Sequence, residues 1–492
     1  MRAIICTMFN LSPDFDKDDF VENSRSGQAA LNPFDDDEER IEAPRIQRAI
    51  QDYPIFRRED PNFSAALSYT AEITHIVVTN GVATVATAGN ILIRFPTTNP
   101  RNSETIDLKS EDKIHSMFQD PLAHHILISM DKSCECIYIG RGPKRCVPRV
   151  HTTRLKGHIE SVAWNLQDQS EQTTGAILLG LSNGTIVETE VDTQEGMVGI
   201  PGLVKKKYVT EVHALSKDPT EQVEPITGIY FHPFPDSTEF KYYVVATTAK
   251  RIYQFVGVVT KGKSPVFQDL FVFYEPEKVQ FMEIPSDRNS SQLQVWPQGP
   301  KATPEAFAWL TGPGVYHGTL EFRPQSRPGD SLFKSKGLLP YSSKDSSASG
   351  VLLTEYHYFL LFPDRVEAIC VLNNEKVFED KLNLKSQRDR TFLQMCSDPV
   401  YGVAYVYTKF RVFAYTPYKE GRNTWKIYLD LGKYELALSY AEGNQENRNA
   451  VLVRQAEHYF SEKRYKDAAL TYYQSQLSFE EVVLKFLTAG GK

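Results

Sequence analysis

Two groups of residues in this chain have types and spacings that could support chemistry. Gly257, Gly262, Lys263 and Ser264 stand at the spacing of a P-loop. Such a loop joins a strand to a helix, so that backbone N–H groups and a helix N-terminus cradle phosphate. The apolar run 251–256 supplies the strand. The helix is missing: Pro265 follows at once, residues 267–274 read as another strand, and no strand ending in a Walker-B aspartate comes after. The pattern therefore reads as a loop between strands, with a nucleotide hydrolase as the remote alternative. Cys134, Cys136, Cys146, His151 and His158 form the second group, as zinc ligands would. Structural zinc usually takes cysteine pairs two to four residues apart. Cys134 and Cys136 instead alternate along 134–139, which reads as a strand. Ordinary packing accounts for them, and also for His124 and His125 at a strand entry. No nucleophile elbow, Ser/His/Asp grouping or carboxylate dyad can be isolated. The expectation is a protein without catalytic residues, metal or cofactor.

Two further groups point to binding. Asn32, Pro33 and Phe34 precede three aspartates. Asn-Pro favours a turn, and a phenylalanine exposed on that turn can fill a small apolar pocket. Similar Asn-Pro-Phe peptides are ligands of EH domains, whose basic rim suits the acidic run. Lys205, Lys206 and Lys207 form a compact basic loop, a candidate membrane contact. Each lysine near an anionic bilayer is worth about 1 kcal/mol, so three give only weak adhesion.

Charge sharpens this division. Of the 492 residues, 55 are Lys or Arg and 62 are Asp or Glu, a formal charge of −7. Residues 11–42 carry eleven acidic side chains against Lys17, Arg25 and Arg40, a net −8, which leaves the remainder near neutral. A neutral body lacks the basic face that duplex nucleic acid requires. No apolar run is long enough to span a bilayer. Six cysteines, mostly in apolar runs, fit a reducing cytosolic compartment.

Residues 1–52 are polar, acidic and without periodicity, apart from a short helix expected near 44–53; they read as a disordered leader. From about residue 64 to 417, short β-branched and aromatic runs alternate with turn residues. Asn80-Gly81 between 73–79 and 82–87 is a strong hairpin signal, because both turn residues need positive φ. An opening strand of the form apolar-x-x-apolar recurs at Ile73/Ile76, Ile114/Met117, Ile159/Val162, Ile226/Ile229, Ala306/Trp309 and Phe392/Met395, and residues 351–362 supply a seventh unit. Intervals of 41, 45 and 67 residues between the first four match four-stranded blades with insertions. Polar stretches at 286–292 and 324–349 read as loops. The expected fold is a seven-bladed β-propeller over 53–417, with stacked sandwiches as the structural rival.

After Pro417 the period becomes helical: Trp425, Tyr428 and Leu429 share one face, and short helices are expected at 434–441, 450–462, 465–474 and 479–487. Lys433-Tyr434-x-x-Ala437 recurs 31 residues on as Arg464-Tyr465-x-x-Ala468. Alanine beside a bulky tyrosine lets helices approach closely, as in helical-hairpin solenoids. Residues 418–492 read as the start of an α-solenoid, truncated at Lys492.

Several segments carry a closer resemblance. LTEYHYFLLFPDRVEAICVL (353–372) resembles the signature region of the deep orange (vacuolar protein sorting-associated protein 18) family. So do ESVAWN (160–165), ATTAKRIYQF (246–255), AFAW (306–309), GVYHG (314–318), WKIYLD (425–430) and FEEVVLKFL (479–487). The resemblance covers about 54–487. It implies a non-enzymatic scaffold subunit of the class C tethering complexes HOPS and CORVET, which act in vesicle-mediated protein transport and in endosome, lysosome or vacuole docking and fusion. Implied partners are other class C subunits, with SNARE proteins and Rab GTPases met through the assembled complex. The implied location is cytoplasmic, peripheral on late endosome and lysosome (vacuole) membranes. A cargo or EH-domain adaptor using the propeller or Asn32–Phe34 is the alternative.

Overall fold

The computed structural model describes residues 53–490 except 68–70, 141–150, 193–204, 217–222, 236, 238, 261, 275–278, 280, 287–289, 298–301, 342–346, 382–391 and 393. The chain divides into two compact units, one of which is Ile55–Tyr418. That unit holds seven four-stranded antiparallel sheets, the seven blades of a propeller. Each blade opens with its innermost strand. In order these are Ile73–Thr79, Ile114–Gln119, Ile159–Ala163, Gly228–Pro233, Gln292–Trp296, Gly350–Leu353 and Gln394–Asp398. Innermost strands of successive blades touch one another, and the seventh touches the first.

The middle strands of each blade are packed on both faces, and so read as continuous apolar runs. His125–Met130 is buried throughout, and Thr173–Leu181 nearly so. Outer strands are polar, as in Lys376–Lys381. Apolar side chains therefore collect between neighbouring blades. Phe359, Val406 and Phe413 lie between blades 6 and 7; Tyr243, Phe307 and Trp309 lie between blades 4 and 5.

The recurring opening pattern has a structural role beyond its apolar residues. The first three inner strands each carry a bulge after the first residue, at 73/75, 114/116 and 159/161. A bulge re-aims a side chain. Here it aims the pattern's third residue at the next blade. His75 Nε2 donates to the carbonyl of His115 (3.1 Å), Ser116 Oγ to that of Ile159 and Ser161 Oγ to that of Ile226 (both 2.6 Å). In blade 4 the same position is Gly228, where a Cβ would lie 2.5 Å from Leu293 Cβ and from Thr247 Oγ1.

A strand from the far end of the domain closes the ring. Phe56–Glu59 pairs antiparallel with Val412–Pro417 as the fourth strand of blade 7. Phe56 is 1% exposed and lies 5.0 Å from Phe359, ring centre to ring centre.

Four expectations need correction. Ala306–Leu310 is the second strand of blade 5, and the opening strand is Gln292–Trp296, whose glutamines made it resemble the polar loop before it. The stretch 324–349 contains the outer strand Phe333–Pro340. Lys205–Ala214 is the outer strand of blade 3, so Lys205, Lys206 and Lys207 open a strand and do not form a loop. Finally, part of 267–274 is helical: Gln268–Val272 is α1. Phe267, Leu270, Phe271 and Tyr274 have helical spacing and fill the space between blades 3 and 4. The leader, with its expected helix, lies outside the described residues.

Among the described residues the helical unit has five α-helices: α2 Thr424–Asp430, α3 Tyr434–Ala441, α4 Gln445–Ser461, α5 Tyr465–Tyr473 and α6 Phe479–Gly490. The repeat seen in the sequence starts α3 and α5, and both alanines, Ala437 and Ala468, are fully buried. It also extends backwards. Lys433 and Arg464 each cap a preceding tyrosine ring, Tyr428 at 6.0 Å and Tyr459 at 4.3 Å. Asn444 starts α4 by accepting from the backbone of Glu446 and Asn447.

Candidate functional site: the mouth of the central channel

The P-loop pattern is satisfied from within. Gly257 lies inside the strand Arg251–Val258, and α1, of five residues, is too short to offer a phosphate site. The backbone N–H groups that lead into α1 are already taken. Glu188, fully buried, accepts from Val266 N (2.5 Å) and Phe267 N (2.8 Å), and from the Tyr208 hydroxyl. Burial pushes the Glu188 carboxyl above its ordinary range. Lys263 Nζ is bound to Asp269 at 2.5 Å, and this pairing holds the Asp269 carboxyl below the usual range. An internal carboxylate thus sits where a phosphate would, and the would-be catalytic lysine has an acidic partner.

Of the cysteine–histidine group, the structure describes the side chains of Cys134, Cys136 and His158. Cys136 is buried in the strand Glu135–Gly140, while Cys134 sits in the turn before it at φ 51°. Cys134 Sγ lies 3.7 Å and 3.9 Å from the two nitrogens of His158, and His158 Nδ1 is also 3.2 Å from the Met130 carbonyl. Among the described residues no group of three or more ligands could hold a metal ion. Cys134, Cys136, Cys370 and Cys396 are free thiols. His125 is fully buried, with Nε2 2.7 Å from the Ser170 carbonyl and Nδ1 2.7 Å from the Tyr138 hydroxyl. Burial lowers its pKa, so it is a neutral, structural histidine joining blades 2 and 3. Cys146 and the Asn32–Phe34 motif lie outside the described residues.

The chemically distinctive place is one the sequence reading passed over. Where the inner strands of blades 1, 2, 3 and 7 run out, they border a cavity of about 480 Å³ in the centre of the ring. Three loops at its rim are built alike. After its inner strand, each chain meets an Asp or Asn whose side chain accepts the backbone N–H groups just ahead, an Asx turn. Asp120 accepts from Leu122, His124 and His125. Asn165 accepts from Gln167 and Asp168. Asp398 accepts from Val400 and Tyr401, and reaches across to Asn80 (3.1 Å) and Gly81 (2.6 Å) in blade 1.

Each turn presents an aliphatic side chain to the cavity: Leu122, Leu166 and Val400. Asp120-Pro121 and Asp398-Pro399 were the available sequence signal, since Asp-Pro initiates turns. Trp164, Tyr230 and Leu293 are among the side chains of the wall, and among the described residues none that lines the cavity is charged. The Tyr230 hydroxyl is buried without a hydrogen-bond partner, and burial raises its pKa.

The fold is a closed seven-bladed propeller with a central cavity, with helical hairpins in a separate unit. The family described as "Pep3/Vps18/deep orange beta-propeller domain" matches residues 54–417, and "VPS18, alpha-solenoid domain, first half" matches 430–492. The chain belongs to the Pep3/Vps18/deep orange family. It is similar to the vacuolar protein sorting-associated protein 18 homolog of Danio rerio (32% identical; 90% of this chain, 44% of that protein). It is also similar to the Arabidopsis thaliana vacuolar sorting protein 18 (32%; 85% and 41%) and to the Drosophila melanogaster homolog (31%; 96% and 47%). The chain thus spans less than half the length of these relatives. No helix among the described residues is long and apolar enough to cross a membrane.

Proposed function

We propose that this chain is a non-enzymatic scaffold subunit of the HOPS and CORVET tethering complexes, acting in endosome and lysosome (vacuole) docking and fusion. The observation that carries this reading is the family match over both units in order, propeller then helical hairpins. The mechanism is multivalent docking. A rigid ring offers broad loop faces, and stacked hairpins set the distance to the next subunit. Partners are other class C subunits; SNARE proteins, Rab GTPases and the cytoplasmic membrane face are met through the assembly. The same reading divides the chain into a leader (1–52), a propeller (53–417) and a solenoid segment (418–492). Co-expression of the tagged chain with class C subunits, followed by two-step purification, tests it. Stable recovery of at least one class C subunit is expected, and recovery of none overturns the assignment.

The acidic run after Asn32-Pro33-Phe34 favours a second, compatible role as an EH-domain ligand. A leader peptide should bind an EH domain and lose binding with Phe34→Ala. Membrane contact through Lys205, Lys206 and Lys207 would give salt-sensitive liposome binding that falls when all three become alanine.

A further inference from the structure

The excursion between the third and fourth strands of blade 4 has no part in the scaffold reading. It leaves the sheet after Val258, carries α1 and is strapped to blade 3. Two polar ties hold it. Glu188 of blade 3 accepts from Val266 N (2.5 Å), Phe267 N (2.8 Å) and the Tyr208 hydroxyl. Asp269 accepts from Lys263 Nζ (2.5 Å) and Thr260 Oγ1 (2.7 Å). Beneath these ties, Phe267, Leu270, Phe271 and Tyr274 fill the space between blades 3 and 4.

Ser264 stands where the two ties meet. It follows Lys263, and its side chain faces the Tyr208 hydroxyl that serves Glu188. Ser264 is exposed, and at Gly262 nothing lies within 4 Å of where a Cβ would be. Pro265 comes next. A proline after the acceptor residue has no N–H to offer, which proline-directed protein kinases do not require. The sequence holds four Ser/Thr-Pro pairs, beginning at Ser12, Ser264, Thr303 and Thr416. Ser12 lies outside the described residues. Thr303 and Thr416 are half-buried, and Thr416 is inside the strand that receives Phe56–Glu59. Among the described residues, Ser264 is therefore the exposed one of the set.

We infer that Ser264 is a phosphorylation site of a proline-directed protein kinase, and that its phosphate releases the strap from blade 3. In the transfer, Ser264 Oγ bonds to the γ-phosphorus of ATP. The bond from that phosphorus to the β–γ bridging oxygen breaks, ADP leaves, and the hydroxyl proton passes to the kinase's catalytic base. The product carries a charge of about −1.5 to −2 at pH 7 and three strong acceptor oxygens. It competes with Glu188 for the Tyr208 hydroxyl and with Asp269 for Lys263, so both ties weaken. It also adds like charge beside the acidic side chains Glu188 and Glu190, which already act on Tyr208. Crowded like charges at a partly buried site disrupt it.

The test treats the 492-residue chain with a purified mitogen-activated protein kinase and ATP·Mg²⁺, locates phosphate by tandem mass spectrometry, and follows amide hydrogen exchange. Phosphate is expected on Ser264 and is lost from that peptide in Ser264→Ala. Amides of 266–274 should exchange at least about tenfold faster in the phosphorylated chain, since local opening sets their rate. Phosphatase treatment should restore the slow exchange, and the buried strand His357–Leu361 of blade 6 should not change. No phosphate on Ser264 overturns the inference. So does phosphate there with exchange over 266–274 unchanged, or with faster exchange throughout the propeller. Because this experiment reads the isolated chain, its failure leaves the tethering assignment standing.

Discussion

At the scale of single residues, Asp398 does more than any other polar side chain of blade 7. It is 1% exposed, and its two oxygens meet four backbone N–H groups, two in its own turn and two in the first hairpin of blade 1. Removing the carboxylate strands these donors, at about 1–3 kcal/mol for each that finds no water. Asp398→Ala should lower propeller stability by about 2–4 kcal/mol in denaturant titration, and Asp398→Asn by less, since one oxygen remains. The histidines respond to pH in a direction their surroundings fix. Burial lowers the pKa of His75, His125, His232 and His317 below the ordinary 6.5. Such groups contribute stability above the unfolded value, and that contribution is lost as pH falls through the folded one. His115 is opposite: its hydrogen bond to Glu160 at 3.0 Å raises its pKa, so its contribution is present below 6.5 and fades as pH rises. His115→Asn removes a group that gains stability as pH falls, so the melting temperature of this variant relative to the parent chain should be lower at pH 5 than at pH 7. An unchanged difference between the two chains across that range would contradict this.

At the scale of elements, what the sequence reveals depends on whether a local period survives. The helix starts at Tyr434 and Tyr465 were legible because a helical period and an internal repeat agree there. The Asn80-Gly81 hairpin was legible because its chemistry is local: the structure gives φ 48° and 68° at those residues. Gln292–Trp296 was missed because glutamines interrupt its apolar face, and α1 because its aromatic residues also suit a strand. The cavity was invisible for a different reason. Its wall comes from six blades, and no window of sequence contains it. The repeat also exposes a defect that can be tested. The turn before α3 uses Gly432 at φ 70°, whereas the matching turn before α5 uses Lys463 at φ 65°. A left-handed residue after a helix favours glycine. Lys463→Gly should therefore stabilise the helical unit, by about 0.5–1 kcal/mol in thermal or urea melts. A loss of stability would mean that the Lys463 side chain contributes more than its backbone strain costs.

At the scale of the whole propeller, ring closure rests on four residues that read as nothing in particular. Phe56-Arg57-Arg58-Glu59 has one apolar side chain and no alternation, so the sequence offers no strand there; only Val412–Pro417, some 350 residues later, makes it one. Without it, Val412–Pro417 becomes an open edge, the unpaired row of N–H and C=O groups that invites intermolecular pairing. Its side chains also bind the seam. Phe56 packs on Phe359 and Phe378, and Arg58 reaches both oxygens of Asp380, at 3.1 and 2.9 Å, which also accepts from the Tyr415 hydroxyl. Truncating a buried phenylalanine costs about 3–5 kcal/mol, a large part of a domain's net stability. Phe56→Ala should therefore lower the propeller's melting temperature by several degrees. A chain starting at Asp60 should fall further and aggregate on heating, whereas one starting at Pro54 keeps the strand and the parent's melting temperature. The comparison isolates the strand from everything before it. Equal melting of the chains starting at Pro54 and at Asp60 would show that blade 7 holds with three strands, and that closure by Phe56–Glu59 contributes nothing.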